Sequence, residues 1–368
     1  MRMCGGVLAL VLGAAVVAAS PAHAGDVPKF EVDASWPKPL PHDWILGQVG
    51  GITTDKDGHI WVFQRPRTLT DDEKGAALTP PRSKCCVPAP PVLEFDADGN
   101  LLRSWGGPGD GYTWVGNEHG IEVDDKGFVW LTGNAPTDGV VLKFTTDGKY
   151  VGQIGGIGPI KGSNDTTSLG RPAETFVDEA KRELYVADGY ANHRVIVFDA
   201  DTLAFKRYWG AYGHKPSDDK QPPYDPKAAV SQQFGNPVHC VKVSHDGLVY
   251  VCDRVNDRIQ VFKTDGTFVK EWFYDKSTLG NGAVWDVAIW PDPKQTYLLS
   301  ADGENNEIRI LKRDDGSVVG RFGRNGRNAG QFHWIHAMAI DNKGNVYTAE
   351  VDTGKRIQKF KLVSDTLR

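Results

Sequence analysis

The chain has 368 residues, 24% of them charged and 40% hydrophobic, with a formal net charge of −5. Such a mildly acidic balance leaves no electrostatic footprint for nucleic acid, and five cysteines are too few for a disulfide scaffold. The length suits two average domains or one large repeat domain, so internal periodicity has to decide between them.

Residues 1–24 read as an export leader. Arg2 is the positive n-region, Val7 to Ala19 the apolar h-region, and Ala22-His23-Ala24 the small-residue cleavage site. The h-region falls short of the roughly 20 apolar residues of a membrane helix, and no other run approaches that length. Residues 25–368 are therefore expected to form one domain, periplasmic or secreted, without a transmembrane segment. Cys85, Cys86, Cys240 and Cys252 remain in it, in a compartment that permits disulfides.

The mature region is built from one repeated unit. Phe30 to Trp36 resembles a lone outer strand. After it, second strands recur as HIWVF (59–63), FVWLT (128–132), ELYVA (183–187), LVYVC (248–252), TYLLS (296–300) and NVYTA (345–349). Third strands recur as PVLEF, VVLKF, RVIVF, RIQVF, EIRIL and RIQKF, ending at Phe95, Phe144, Phe198, Phe262, Leu311 and Phe360. These runs are rich in Val, Ile, Tyr and Trp, as strands require. X-Gly pairs such as Asp57-Gly58, Asp98-Gly99 and Asp246-Gly247 mark tight hairpins between them. Six such units imply an all-β, six-bladed β-propeller of the NHL-repeat kind. The last blade stops after its third strand, so the Phe30 segment is expected to close the ring as its fourth.

Candidate chemistry follows from the repeat. His119, His239 and His336 each lie eight residues before a turn glycine, in blades two, four and six. Gly50 holds that offset in blade one, and Glu174 and Asp286 hold the corresponding places in blades three and five. Alternate blades stand about 120° apart around the channel, so three imidazoles can meet on the axis. Three protein ligands with an open fourth position are the donor set of catalytic zinc. A lone buried histidine is more often a hydrogen-bonded core residue; three at one repeat offset in alternate blades favour a metal.

The loop after each second strand opens on the same face and carries Arg65, Tyr190 and Arg254, an acid/base and carboxylate-binding set. Arg254 has a bland alternative, pairing with Asp253 or with a neighbouring blade. Insertions 66–90, 156–168 and 211–233 also open there. Cys85-Cys86 could be a vicinal disulfide, free thiols or metal ligands. Counting back from the turn sets 240 opposite 251 and 239 opposite 252, which predicts no bond between Cys240 and Cys252.

HGIEVDDKGFVWLTG (119–133), VADGYANHRVIVF (186–198) and VHCVKVSHDGLVYVCDRVNDRIQVF (238–262) resemble the peptidyl-α-hydroxyglycine α-amidating lyase family. The resemblance spans roughly residues 45–360. It implies zinc held by His119, His239 and His336, a catalytic Tyr190 in a DGY motif, and functional arginines at Arg65 and Arg254. The implied reaction splits an N-(α-hydroxy) amide into an amide and glyoxylate or a related acid, on a small-molecule or peptide substrate. Two departures stand out: Ala337 replaces an acidic residue that helps bind a structural calcium in the family, and Trp334 replaces a methionine. The alternatives are a non-catalytic NHL propeller that binds a protein or glycan, and a calcium lactonase-type propeller.

Overall fold

In the computed structural model, residues 27–364, 366 and 367 are described; the expected leader over 1–24 lies outside them. Six four-stranded antiparallel sheets follow one another. Their inner strands are Gln48–Thr54, Glu118–Val123, Glu174–Asp178, Val238–Val243, Asp286–Ile289 and Ile335–Ile340. In blade six the fourth strand is Phe30–Asp33, paired with Ile357–Leu362 so that Phe30 faces Leu362 and Asp33 faces Lys359. Among the described residues no helix is long and apolar enough to cross a membrane.

The apolar core is a ring of six clusters, one between each pair of neighbouring blades. In blade one, Trp61 and Phe63 pack toward blade two, while Ile60 and Val62 pack toward blade six. Successive side chains of a strand point to opposite faces, and both faces are covered here. This is why the second strands read as continuous apolar runs rather than as a clean alternation. Full burial of one such large side chain contributes about 1.5–3 kcal/mol.

The hairpins are held by the residue three before the turn glycine. Asp55 accepts from the N–H groups of Asp57 and His59, and Asp124 and Asp341 repeat the pattern. At the opposite face, buried ion pairs brace the loops: Asp188–Arg194 and Asp253–Arg258, each at 2.8 Å, and Asp302–Arg309. A buried pair costs several kcal/mol to break by removing one partner, so these loops are stiff supports.

One expectation fails. Cys240 and Cys252 are bonded to each other. The pairing register shifts between Val238 and Cys240, so that Cys240, not His239, faces Cys252. The extra residue of this β-bulge is His239, and counting from the turn could not see it. Cys85 and Cys86 form a vicinal disulfide in the first insertion.

Candidate active site at the channel mouth

The bulge that pairs the cysteines also aims the histidines. The inner strands of blades one, two, four and six shift by one residue at Gly50, at His119–Gly120, at His239 and at His336. A bulged residue leaves the ladder and its side chain is redirected. All three imidazoles are consequently buried, at 2–4% exposure, and one ring nitrogen from each lies within 4.8 Å of the others.

Each ring is oriented from behind. His119 Nδ1 donates to Ala173 O at 2.8 Å, His239 Nδ1 to Trp285 O at 2.5 Å, and His336 Nδ1 to Gly50 O at 2.8 Å. The acceptor is always a main-chain carbonyl of the next blade. Burial, foremost, with neighbouring rings and arginines behind it, holds all three pKa values well below 6.5. A neutral ring that donates through Nδ1 presents a lone pair at Nε2, the tautomer a metal needs.

His239 Nε2 and His336 Nε2 are 3.2 Å apart. Two lone pairs at that distance repel unless a cation lies between them. Two nitrogens bound tetrahedrally to one zinc at ~2.1 Å stand about 3.4 Å apart, so this pair has the spacing that ion imposes, and a third neutral imidazole within 4.8 Å completes the donor type it takes.

Tyr190 sits over this group. Its hydroxyl is 3.0 Å from His119 Nε2 and 3.1 Å from His239 Nε2, and it accepts from Arg254 Nη1 at 3.1 Å. Gly189 makes the approach possible, because a Cβ there would lie 2.1 Å from Val238 O. Arg254 is free for this contact because Asp253 is taken by Arg258 and Asn256, so of the two bland alternatives the pair with Asp253 does not form. Its guanidinium stacks 4.4 Å from the Trp285 ring, and its buried Nε has no protein partner among the described residues. Arg65 is equally buried and donates to Glu118 O and Gln48 Oε1; burial lowers its pKa against the pull of Tyr190 and Glu118.

No protein-family model matches the chain. It is 29% identical over 351 residues to NHL repeat-containing protein 3 of Mus musculus, covering 90% of this chain and 84% of that protein. It is 21% identical over 322 residues to a probable peptidyl-α-hydroxyglycine α-amidating lyase of Caenorhabditis elegans, covering 85% and 82%. The chain is a homologue of both. A solved structure of a protein of unknown function from Bacteroides thetaiotaomicron superposes with a TM-score of 0.53 at 17% identity, over 92% of this chain and 73% of that one; it speaks to the fold alone.

Below the imidazoles, this relative of the NHL-repeat and lyase proteins departs from the sequence-based alignment. Glu174 and Asp286 do not sit level with the histidines. Ala173 and Trp285 do, offering the carbonyls named above, and the two carboxylates fall one residue later, around a cavity of about 20 Å³. Their oxygens are already taken. Glu174 accepts from Val241 N–H and from the Lys242 ammonium at 2.7 Å, while Asp286 accepts from the N–H groups of Val287 and Met338. With Ala337 beside them and a lysine in their midst, these groups do not fit calcium, which wants six to eight oxygen ligands. Burial raises Glu122 to about 8 and, with Glu174 adding to it, lifts Asp286 well above 3.8.

Two neighbours of the site, Trp285 and Arg171, escaped sequence reasoning. Trp285 and Trp334 pack at 5.6 Å as its wall. Arg171 places its guanidinium 5.7 Å from the Tyr190 ring. Only Trp334 had been singled out, and only through the resemblance.

Proposed function

We propose that the chain is an exported zinc-dependent lyase that cleaves N-(α-hydroxy) amides to an amide and glyoxylate or a related α-oxo acid. One observation carries this reading: three neutral imidazoles, each fixed through Nδ1, bring ring nitrogens within 4.8 Å of one another, with the hydroxyl of Tyr190 3.0 and 3.1 Å from two of them. Similarity to the amidating lyase supports it, and the two disulfides agree with an oxidising compartment.

His119, His239 and His336 would hold the ion. Zinc at that point would act as a Lewis acid on the substrate's hydroxyl and carboxylate oxygens. Tyr190, acting as the phenolate with Arg254 donating to its oxygen, would take the hydroxyl proton and return it to the departing nitrogen. As the C–O bond becomes C=O, the electrons of the C–N bond leave with nitrogen, which takes up a proton. Atoms and charge balance without a redox cofactor. Arg65 and Arg254 give the mouth the positive charge that a carboxylate substrate requires.

The test is metal analysis followed by turnover of α-hydroxyhippurate. About one zinc per chain, lost on His119→Ala or His239→Ala, and zinc-dependent release of glyoxylate are expected. A non-catalytic propeller remains the second reading, since NHL repeat-containing protein 3 carries no activity in its name. Purified protein free of transition metal and indifferent to chelators would favour it.

A further inference from the structure

Arg171 stands at the mouth of the channel in a conformation its side chain does not favour. Its φ is +58°, in the left-handed region that a non-glycine residue rarely adopts. The backbone is held there from both sides: Arg171 N–H donates to Asp138 O at 2.9 Å, and Arg171 O accepts from Tyr190 N–H at 3.2 Å. Glycine, which adopts that region freely, precedes it at position 170. The site thus tolerates strain at the residue bonded directly to the backbone of its tyrosine, and that residue is an arginine.

The guanidinium is aimed rather than loose. Nε donates to Asn134 O at 2.8 Å, in blade two. Neither Nη meets a protein acceptor among the described residues, and the side chain is only partly buried. Arg67, by contrast, is spent on Glu118 and Asn117. Arg254 approaches the same Tyr190 ring, at 5.6 Å, but from the side of blades four and five, where it stacks on Trp285. Tyr190, on blade three, therefore stands between two guanidinium groups tied to opposite neighbours. A single carboxylate next to the reacting carbon can engage Arg254 and the tyrosine side. It leaves the forked Nη donors of Arg171 for a different anion.

Resting on the lyase reading, we infer that the substrate is a dianion. Besides the carboxylate on the reacting carbon, its acyl half carries a second carboxylate or comparable anionic group, which Arg171 binds. Arg171 is a specificity residue, and its partner is recognised by bidentate hydrogen bonding at the channel mouth.

The binding test does not require turnover. Zinc-loaded protein is titrated calorimetrically with hippurate and with 4-carboxyhippurate, neither of which has the hydroxyl needed for cleavage. Wild type is expected to bind the dianion at least about tenfold more tightly, a difference of about 1.4 kcal/mol. Arg171→Gln is expected to reduce that ratio below about twofold, the loss falling mainly on 4-carboxyhippurate, and Arg171→Lys to restore part of it, because a point charge replaces the fork. Equal binding of the two compounds by wild type, a preference that survives in Arg171→Gln, or no binding of either compound overturns the inference. Failure of the lyase reading shows separately, as α-hydroxyhippurate that binds but yields no glyoxylate.

Discussion

His336→Gln in metal-stripped protein isolates the electrostatics of one ring. In the fold His336 is kept neutral, first by burial and then by Arg65 and Arg254. Unfolded, it titrates near 6.5. Below that pH the unfolded chain takes up a proton that the fold refuses, so this contribution is complete above pH 6.5 and is lost as pH falls toward the folded value. Between pH 7.5 and 5.5 the loss is about 1.4 kcal/mol for one ring and about 4 kcal/mol for three. Glu122 and Asp286 act with the opposite sign. Their raised values mean that the fold keeps protons the unfolded chain has released, so acidification over the same window restores up to about 1.4 kcal/mol per pH unit for each. The two sets offset one another, and the wild-type curve alone decides nothing. The difference between wild type and His336→Gln does decide, because glutamine can still donate to Gly50 O but takes no proton. Guanidinium unfolding of chelator-treated protein at the two pH values should show the variant gaining about 1.4 kcal/mol relative to wild type at pH 5.5. A gap that stays constant within about 0.3 kcal/mol, the usual error of such comparisons, would refute the buried, neutral ring.

Tyr190→Phe should lower turnover of α-hydroxyhippurate by about 10²–10⁴ with zinc content unchanged; full activity would remove the tyrosine from the chemistry. Asp253→Ala removes one of the two carboxylates paired with buried Arg258, leaving Glu271 at 3.2 Å, and should cost about 1.5–3 kcal/mol in thermal unfolding; a loss below about 1 kcal/mol would mean that water reaches the guanidinium. Peptide mapping without reductant should recover Cys240 linked to Cys252, and the double serine variant should lose no more than about 3 kcal/mol. Alkylation of Cys240 in unreduced protein would contradict the bulged register.

The blades were legible because their signals are local. Second and third strands announce themselves through β-branched and aromatic runs, and most hairpins through a glycine at positive φ, such as Gly58 at +82°; the inner hairpins of blades three and five turn instead on Arg182 and Gln295, both at +50°. The repeat offset also brought out His119, His239 and His336, since a fixed distance from the turn survives as long as the turn does. What the sequence concealed was anything that depends on a count being off by one. The bulge at His239 reversed the reading of Cys240 and Cys252, and the regular strands of blades three and five moved Glu174 and Asp286 one layer down. The acid–arginine braces escaped for a related reason: Asp188–Arg194, Asp253–Arg258 and Asp302–Arg309 are separated by different numbers of residues, so no single offset finds them. Arg171 was invisible because its role depends on a backbone bond to Tyr190.

The same off-by-one feature turns a six-fold scaffold into a three-fold site. In blades two, four and six the bulged residue is a histidine whose ring leaves the ladder for the axis. In blades one, three and five the residue at that level contributes its carbonyl, which receives the proton of the neighbouring ring. Blade one shows what this demands sterically. A Cβ at Gly50 would lie 2.6 Å from Glu118 O and 2.9 Å from His119 O. Glycine there lets blades one and two close up, while Gly50 O remains where His336 needs it. Donors and acceptors thus alternate around the ring, and no ring nitrogen has to choose between orienting itself and facing the channel.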